Sequence, residues 1–158
     1  MKYIIGDIGN TSTKICILNK NFTTLKSFIF ETNKIYEKKY LNKLFKILLN
    51  KNISLKILFS SVVPSAFKEI KKKFKNTKYK ILEIKDLNLK KIIKINVKNK
   101  SQLGSDRISN AIGAYKFKDC LILDFGTATT FDIIKKGVYE GGVIAPGVKL
   151  SMMNLSSS

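Results

Sequence analysis

The sequence predicts a duplicated α/β fold, and a repeated pattern within it carries that expectation. An apolar run, Leu121, Ile122 and Leu123, stops at Asp124 and is followed by Phe125-Gly126-Thr127-Ala128-Thr129-Thr130. Near the amino terminus Tyr3, Ile4 and Ile5 lead into Asp7-Ile8-Gly9-Asn10-Thr11-Ser12-Thr13, with the same order of strand, Asp, Gly and hydroxyls. Between the two copies, stretches of strand-like alternation give way to apolar spacing of helical period.

Each copy reads as a strand running into a turn that can grip phosphate. Gly126 has no side chain to keep a polyphosphate from the backbone amides, and the hydroxyls of Thr127 and Thr129 can donate to phosphate oxygens. Asp124, at the strand end, can hold a cation. A single Asp-x-Gly after a strand is usually just a turn. Two in one short chain point instead to a duplicated fold that closes on a nucleotide from both sides.

Bulk properties set the limits. A chain of 158 residues with 44% hydrophobic content can bury a real core in one domain or two small ones. No apolar run approaches the roughly 20 residues that span a bilayer, and the start lacks a secretory layout, so the expectation is a cytoplasmic protein without a membrane partner. Cys16 and Cys120 lack the paired spacing of zinc or redox sites and read as buried free thiols. Histidine is absent, which removes serine-histidine hydrolases and histidine-ligated zinc enzymes and leaves acid-base work to carboxylates. The formal charge of +19 would attract polyanions, yet all but one of the 30 basic residues are lysines dispersed along the chain. Lysine is a poor substitute for arginine in bidentate recognition, so no nucleic-acid partner is expected.

The elements follow in order. Lys14 to Leu18 and Leu25 to Phe30 alternate as strands and extend the first hairpin into an antiparallel meander. Thr32 reads as a helix cap, and Tyr40, Leu41, Leu44, Phe45 and Leu48 supply the apolar face of the helix beyond it. Lys56 to Phe59 resumes a strand, and Pro64 suits the first position of a helix with Phe67, Ile70 and Phe74 inward. Tyr79 to Ile84 reads as a strand, and Ile92, Ile93 and Ile95 hint at a short one. Gly104-Ser105-Asp106-Arg107 then opens a helix with Ile108, Ala111, Ile112 and Tyr115 on one face. A cation in the first turn opposes the helix dipole, so Arg107, the only arginine, calls for an anion such as a carboxylate. The alternative is an incidental surface arginine. Thr130 to Ile134 forms a strand, Lys136-Gly137 a turn, and Gly141 to Gly147 a glycine-rich loop whose Pro146 and Gly147 open another helix facing a nucleotide or simply connect elements.

With these motifs in this order, the chain resembles the type III pantothenate kinases of the sugar kinase, heat-shock protein and actin superfamily. The Gly-x-Asp-Arg turn between the hairpins is the family's mark, and Ser60-Ser61-Val62-Val63-Pro64 resembles a further family segment. The resemblance implies a duplicated ribonuclease H-like (actin-like ATPase) fold with a first domain at 1–103 and an incomplete second at 104–158, since family members continue past Ser158. It implies ATP-dependent phosphorylation of pantothenate, the first step towards coenzyme A, by a homodimer. Asp7, Ile8, Gly9, Asn10, Thr11, Ser12, Thr13, Lys14 and Thr127 would bind ATP, with Asp7 positioning Mg2+ through water. Asp124 would bind a monovalent cation, K+ or NH4+. Gly104, Ser105, Asp106 and Arg107 would hold pantothenate, with Asp106 the catalytic proton acceptor. Val97 and Lys100 stand where many members carry an aromatic residue and a proline. The alternatives are a non-catalytic regulatory or binding relative of the family, and another small-molecule kinase of the superfamily; a pure binder needs no carboxylate beside an anion-gripping arginine.

Overall fold

A computed structural model describes residues 2–49 and 53–156. The chain divides into two compact units, Met1–Leu87 and Asn88–Ser158.

The first unit is a five-stranded sheet with two helices. Strands β1 (Lys2–Ile8), β2 (Ser12–Leu18) and β3 (Thr24–Glu31) form the expected meander, and β4 (Ile53–Ser61) and β5 (Lys80–Glu83) complete the order β3-β2-β1-β4-β5. β4 runs parallel to β1, which requires a crossover, and α1 (Lys38–Leu48) supplies it. Helix α2 (Pro64–Lys73), with Pro64 in its first turn, connects β4 to β5. The helical stripe read from the sequence is the buried one: Leu41, Leu44, Phe45 and Leu48 join Ile4, Ile8, Ile15, Ile57 and Phe59 from the sheet and Ala66 and Ile70 from α2 in one core. Full burial of each such side chain contributes about 1.5–3 kcal/mol. Gly6 is a packing necessity, because a Cβ there would collide with the Phe59 ring.

Thr32 does not cap a helix. It begins a 3-10 turn, Thr32–Tyr36, that precedes α1, and its hydroxyl instead donates to the Gly9 carbonyl at 2.7 Å. The cap is displaced because the first hairpin leaves that carbonyl within reach of a buried donor.

The second unit carries β6 (Lys94–Ile95), α3 (Ser105–Ala114), β7 (Cys120–Phe125), β8 (Ala128–Lys135), β9 (Val138–Pro146) and α4 (Val148–Ser156), with sheet order β6-β9-β8-β7. Residues 88–103 group with this unit rather than with the first, since Lys94 and Ile95 pair in parallel with Val138 and Tyr139 of β9. Lys136 and Gly137 both take positive φ, 51° and 73°, as the tight hairpin between β8 and β9 requires. The glycine-rich stretch from Gly141 is strand rather than loop: β9 runs on to Pro146, with a register shift opposite Ile133 and Ile134 and a φ of 104° at Gly141. The shift is a bulge of the kind glycine permits. Helix α3 buries Ile108 and Ala111 as its spacing predicts and packs on β7 and β8. The alternate positions of β7, Leu121, Leu123 and Phe125, are exposed. Both cysteines are free, with Cys16 buried and Cys120 half-buried.

Candidate functional site

In the first unit Asp7 pairs in register with Lys14 of β2 and Ser60 of β4, so the three side chains share one face of the sheet. The Ser60 hydroxyl is buried there without a hydrogen-bond partner among the described residues. The turn beyond Asp7 is braced from behind: the Gly9 amide donates to Ser12 O at 3.0 Å, and the Val62 amide to Ile8 O at 3.0 Å. Ile8 is fully buried and Gly9 half-buried, while Asp7, Asn10, Thr11, Ser12 and Lys14 are exposed. Thr13 differs from its neighbours. It is fully buried and its hydroxyl lies 3.0 Å from that of Thr32, so its side chain fixes the turn instead of facing outward.

In the second unit Gly104 is the N-cap of α3, and Asp106 stands in the first turn with Oδ1 accepting from the Arg107 amide at 2.8 Å. A Cβ at Gly104 would collide with Asp106 Oδ1, so a side chain there would displace the carboxylate from this position. Ser105 is buried and its carbonyl accepts from the Ser109 hydroxyl at 2.9 Å. Four residues after Asp106 on the same helix face, Asn110 Nδ2 donates to Asp124 Oδ2 at 2.8 Å and ties α3 to the end of β7. At the second hairpin the Gly126 amide donates to Ala128 O at 3.0 Å; Thr127 is exposed, whereas Thr129 is buried and so not placed to meet a phosphate. Gly147, at the start of α4, lies against the Gly126-Thr127 turn.

Arg107 does find an anion, but one from its own chain. Its Nε and Nη2 donate to Asp132 Oδ1 at 2.8 and 2.6 Å. The same oxygen accepts from the Tyr139 hydroxyl at 2.5 Å, and Oδ2 from the Thr130 hydroxyl at 3.3 Å. Asp132 and Tyr139 are fully buried. Burial works against the charge of Arg107, yet the bond to Asp132 and its negative charge more than offset this and hold the guanidinium pKa above its ordinary value. Burial, followed by the bond to Asp132 and its charge, pushes the Tyr139 hydroxyl well up. A cavity of about 320 Å³ opens beside this cluster, lined by Val97, Leu103, Arg107, Tyr139, Gly141 and Gly142 among others. Val97, one of the two positions singled out from the sequence, lines this cavity; Lys100 is not among the lining residues.

Asp132, Tyr139 and Asn110 were not singled out from the sequence. A signal for Asp132 exists: strand alternation puts it on the inward face of β8 with Thr130 and Ile134, and a buried carboxylate needs a partner. A larger cavity, about 730 Å³, lies between α2 and β5 and is lined by Lys71, Lys72, Lys75, Phe74 and Tyr79 among others, none of them a motif residue. Among the described residues no three His, Cys, Asp or Glu side chains form a metal cage. A cation at Asp7 or Asp124 would therefore draw most of its ligands from water or phosphate, as Mg2+ commonly does.

Sheets built on an Asp-turn hairpin in each unit define a chain of the ribonuclease H-like, actin-like ATPase class. A solved structure of the activator of 2-hydroxyisocaproyl-CoA dehydratase from Clostridium difficile, with bound ADPNP, shares this fold at a TM-score of 0.54 and 13% identity, covering 100% of this chain and 53% of that one. Within that class the chain belongs to the type III pantothenate kinase family, whose model matches residues 3–158. A type III pantothenate kinase of Pelagibacter ubique is 52% identical over 97% of this chain and 62% of its own length. A Campylobacter jejuni structure described as a Baf family transcriptional activator is 25% identical, with a TM-score of 0.57 over 98% of this chain and 59% of that one. The chain thus spans about three fifths of the length of the relatives it matches. Among the described residues no helix is long and apolar enough to cross a membrane.

Proposed function

We propose that the chain supplies the phosphate-gripping and acid-binding elements of an ATP-dependent pantothenate kinase, which transfers the γ-phosphoryl group to the pantothenate hydroxyl and yields 4'-phosphopantothenate. The observation that carries this reading is the juxtaposition of Asp106 and Arg107 at the start of α3, with Arg107 lining a cavity of about 320 Å³. Phosphoryl transfer asks the protein mainly for positioning, charge neutralisation and one group to orient the attacking hydroxyl. Asp106 takes that last role: its Oδ1 is engaged by the Arg107 amide, and its other oxygen accepts the substrate proton late in transfer. Arg107 receives the substrate carboxylate, and Gly104 and Ser105 shape the approach.

On the first unit, Asp7 and the exposed turn from Asn10 to Ser12, with Lys14, hold phosphates; Ile8, Gly9 and Thr13 contribute by fixing the backbone. On the second unit, Thr127 donates to phosphate, and Asp124, oriented by Asn110, takes a monovalent cation, K+ or NH4+. The bound cations, with Mg2+ at Asp7 through water, neutralise phosphate charge. A homodimer in the cytoplasm belongs to the same proposal. The likeness to a Baf family transcriptional activator favours a regulatory role as the second reading.

ATP consumption with and without pantothenate, in K+ and then in Na+, tests the choice. It is run on this chain and on the chain joined to the part of the Pelagibacter ubique relative that it does not match. Pantothenate-dependent turnover that falls in Na+ supports the kinase. Nucleotide binding without turnover in either form sinks it in favour of the regulatory reading.

A further inference from the structure

We propose that Asp132, held in place by Tyr139 and Thr130, is the positioning residue that makes this site select a carboxylic acid. It does so by fixing the Arg107 guanidinium with its unused edge open to the cavity. This rests on the functional reading above, which assigns substrate-carboxylate recognition to Arg107 but gives no role to Asp132.

The geometry departs from the bidentate pairing in which arginine and a carboxylate frequently meet fork to fork, through two nitrogens and two oxygens. Here Nε and Nη2 converge on the single oxygen Oδ1, so the carboxylate meets one side of the guanidinium. Of the five N–H donors of an arginine, two are used; the Nη1 pair and one on Nη2 make no bond among the described residues. Asp132 in turn cannot swing towards an incoming anion or follow Arg107 outward. Its Oδ1 also accepts from Tyr139 at 2.5 Å, its Oδ2 from Thr130 at 3.3 Å, and it is fully buried. Beside it, Gly142 pairs in register with Asp132, and a Cβ there would collide with the Phe131 carbonyl oxygen and stand 2.8 Å from Arg107 Nη2, so backbone and guanidinium together leave no room for a side chain. Arg107 keeps about an eighth of its side-chain surface, 12%, open, and lines the 320 Å³ cavity.

Electrostatics alone would make Asp132 a hindrance, since its negative charge weakens the pull of Arg107 on an anion. Its contribution is therefore order: a guanidinium already held in one plane loses less freedom when the acid arrives. The two accounts give opposite signs for removal of the charge, which makes the proposal testable.

Because Arg107 is the only arginine, 15N-arginine labelling of the 158-residue chain gives a single Nε–H signal from the group in question. The chain is titrated, in the presence of a non-hydrolysable ATP analogue, with pantothenate and with the analogue in which CH2OH replaces the carboxylate. In the natural sequence pantothenate should shift the Nε–H signal and bind more tightly than the alcohol. Asp132→Asn should weaken pantothenate about tenfold and leave the alcohol unchanged, so that the preference for the acid collapses. Tyr139→Phe keeps both charges and should give a smaller loss in the same direction, with amide spectra confirming the fold in case Asp132→Asn does not fold. If pantothenate fails to move the signal in the natural sequence, the functional reading falls and the proposal with it. If pantothenate moves it but the variants bind the acid equally well or more tightly, Asp132 is a structural partner only and the proposal alone is overturned.

Discussion

Gly147, at the start of α4, lies so close to Thr127, at the tip of the second hairpin, that a Cβ at position 147 would collide with the Thr127 carbonyl oxygen. The turn proposed to meet phosphate is thus packed against a helix start, and its conformation depends on an absent side chain twenty residues away. Gly147→Ala should cost about 1–3 kcal/mol, the usual penalty of overpacking, and weaken ATP binding. Thermal denaturation together with a nucleotide titration checks this; an unchanged melting temperature would show that the two segments separate freely.

Tyr139 carries a pH dependence of definite sign. Its folded pKa is raised by burial and by Asp132, so the protonated hydroxyl stabilises the fold at pH values below the ordinary tyrosine pKa of about 10. Above that value the unfolded chain releases the proton first, and stability falls by up to about 1.4 kcal/mol per pH unit until the folded group also titrates. Urea denaturation between pH 9 and pH 11 should show this added slope in the natural sequence and not in Tyr139→Phe. Identical slopes would mean that the hydroxyl is not held as described.

Ser60 has a buried hydroxyl with no hydrogen-bond partner among the described residues, on the sheet face it shares with Asp7 and Lys14. A buried polar group left unbonded costs roughly 1–3 kcal/mol, so Ser60→Ala should leave the ligand-free chain as stable or more stable. A lowered melting temperature without ligand would contradict the absence of a partner.

Asp106 and Arg107 should separate kinetically in the active form. Removal of a group that acts in the transition state lowers kcat, so Asp106→Asn should reduce kcat far more than it raises KM. Arg107→Lys loses the planar fork in ground and transition states alike and should raise the KM for pantothenate by the equivalent of about 1.5–3 kcal/mol with kcat nearly intact. Steady-state kinetics with pantothenate varied at saturating ATP decide it; a near-normal kcat in Asp106→Asn would remove that residue from the chemistry.

Protection of the two hairpin strands should differ. β1 is bonded on both sides, to β2 and β4, whereas among the described residues β7 pairs only with β8 and exposes Leu121, Leu123 and Phe125. Amides of β7 not bonded to β8 should exchange with solvent well before those of β1. Equal protection in hydrogen exchange would show that the edge is covered.

The parts of this protein legible in the sequence are those written in short-range pattern. The α1 stripe of Leu41, Leu44, Phe45 and Leu48 is helical because its period matches one helix face, and Pro64 begins α2 because its fixed φ suits a first turn. Lys136-Gly137 is a turn for equally local reasons, and the Asp-x-Gly hairpins and the Gly104 to Arg107 helix start are visible as contiguous residue types.

Reading Gly141 to Gly147 as a loop missed β9, because glycine content signals backbone freedom and not the partner strand, β8, that uses it. Thr32 carried the residue type of a cap, yet the carbonyl of Gly9, 23 residues earlier, takes its hydroxyl. The sequence by itself determined the main helices, the two Asp-x-Gly hairpins and the presence of one arginine in the first turn of a helix. Only the tertiary structure decided that its anion is Asp132, 25 residues on, because burial against Tyr139 and Thr130 is what makes an isolated carboxylate need that guanidinium.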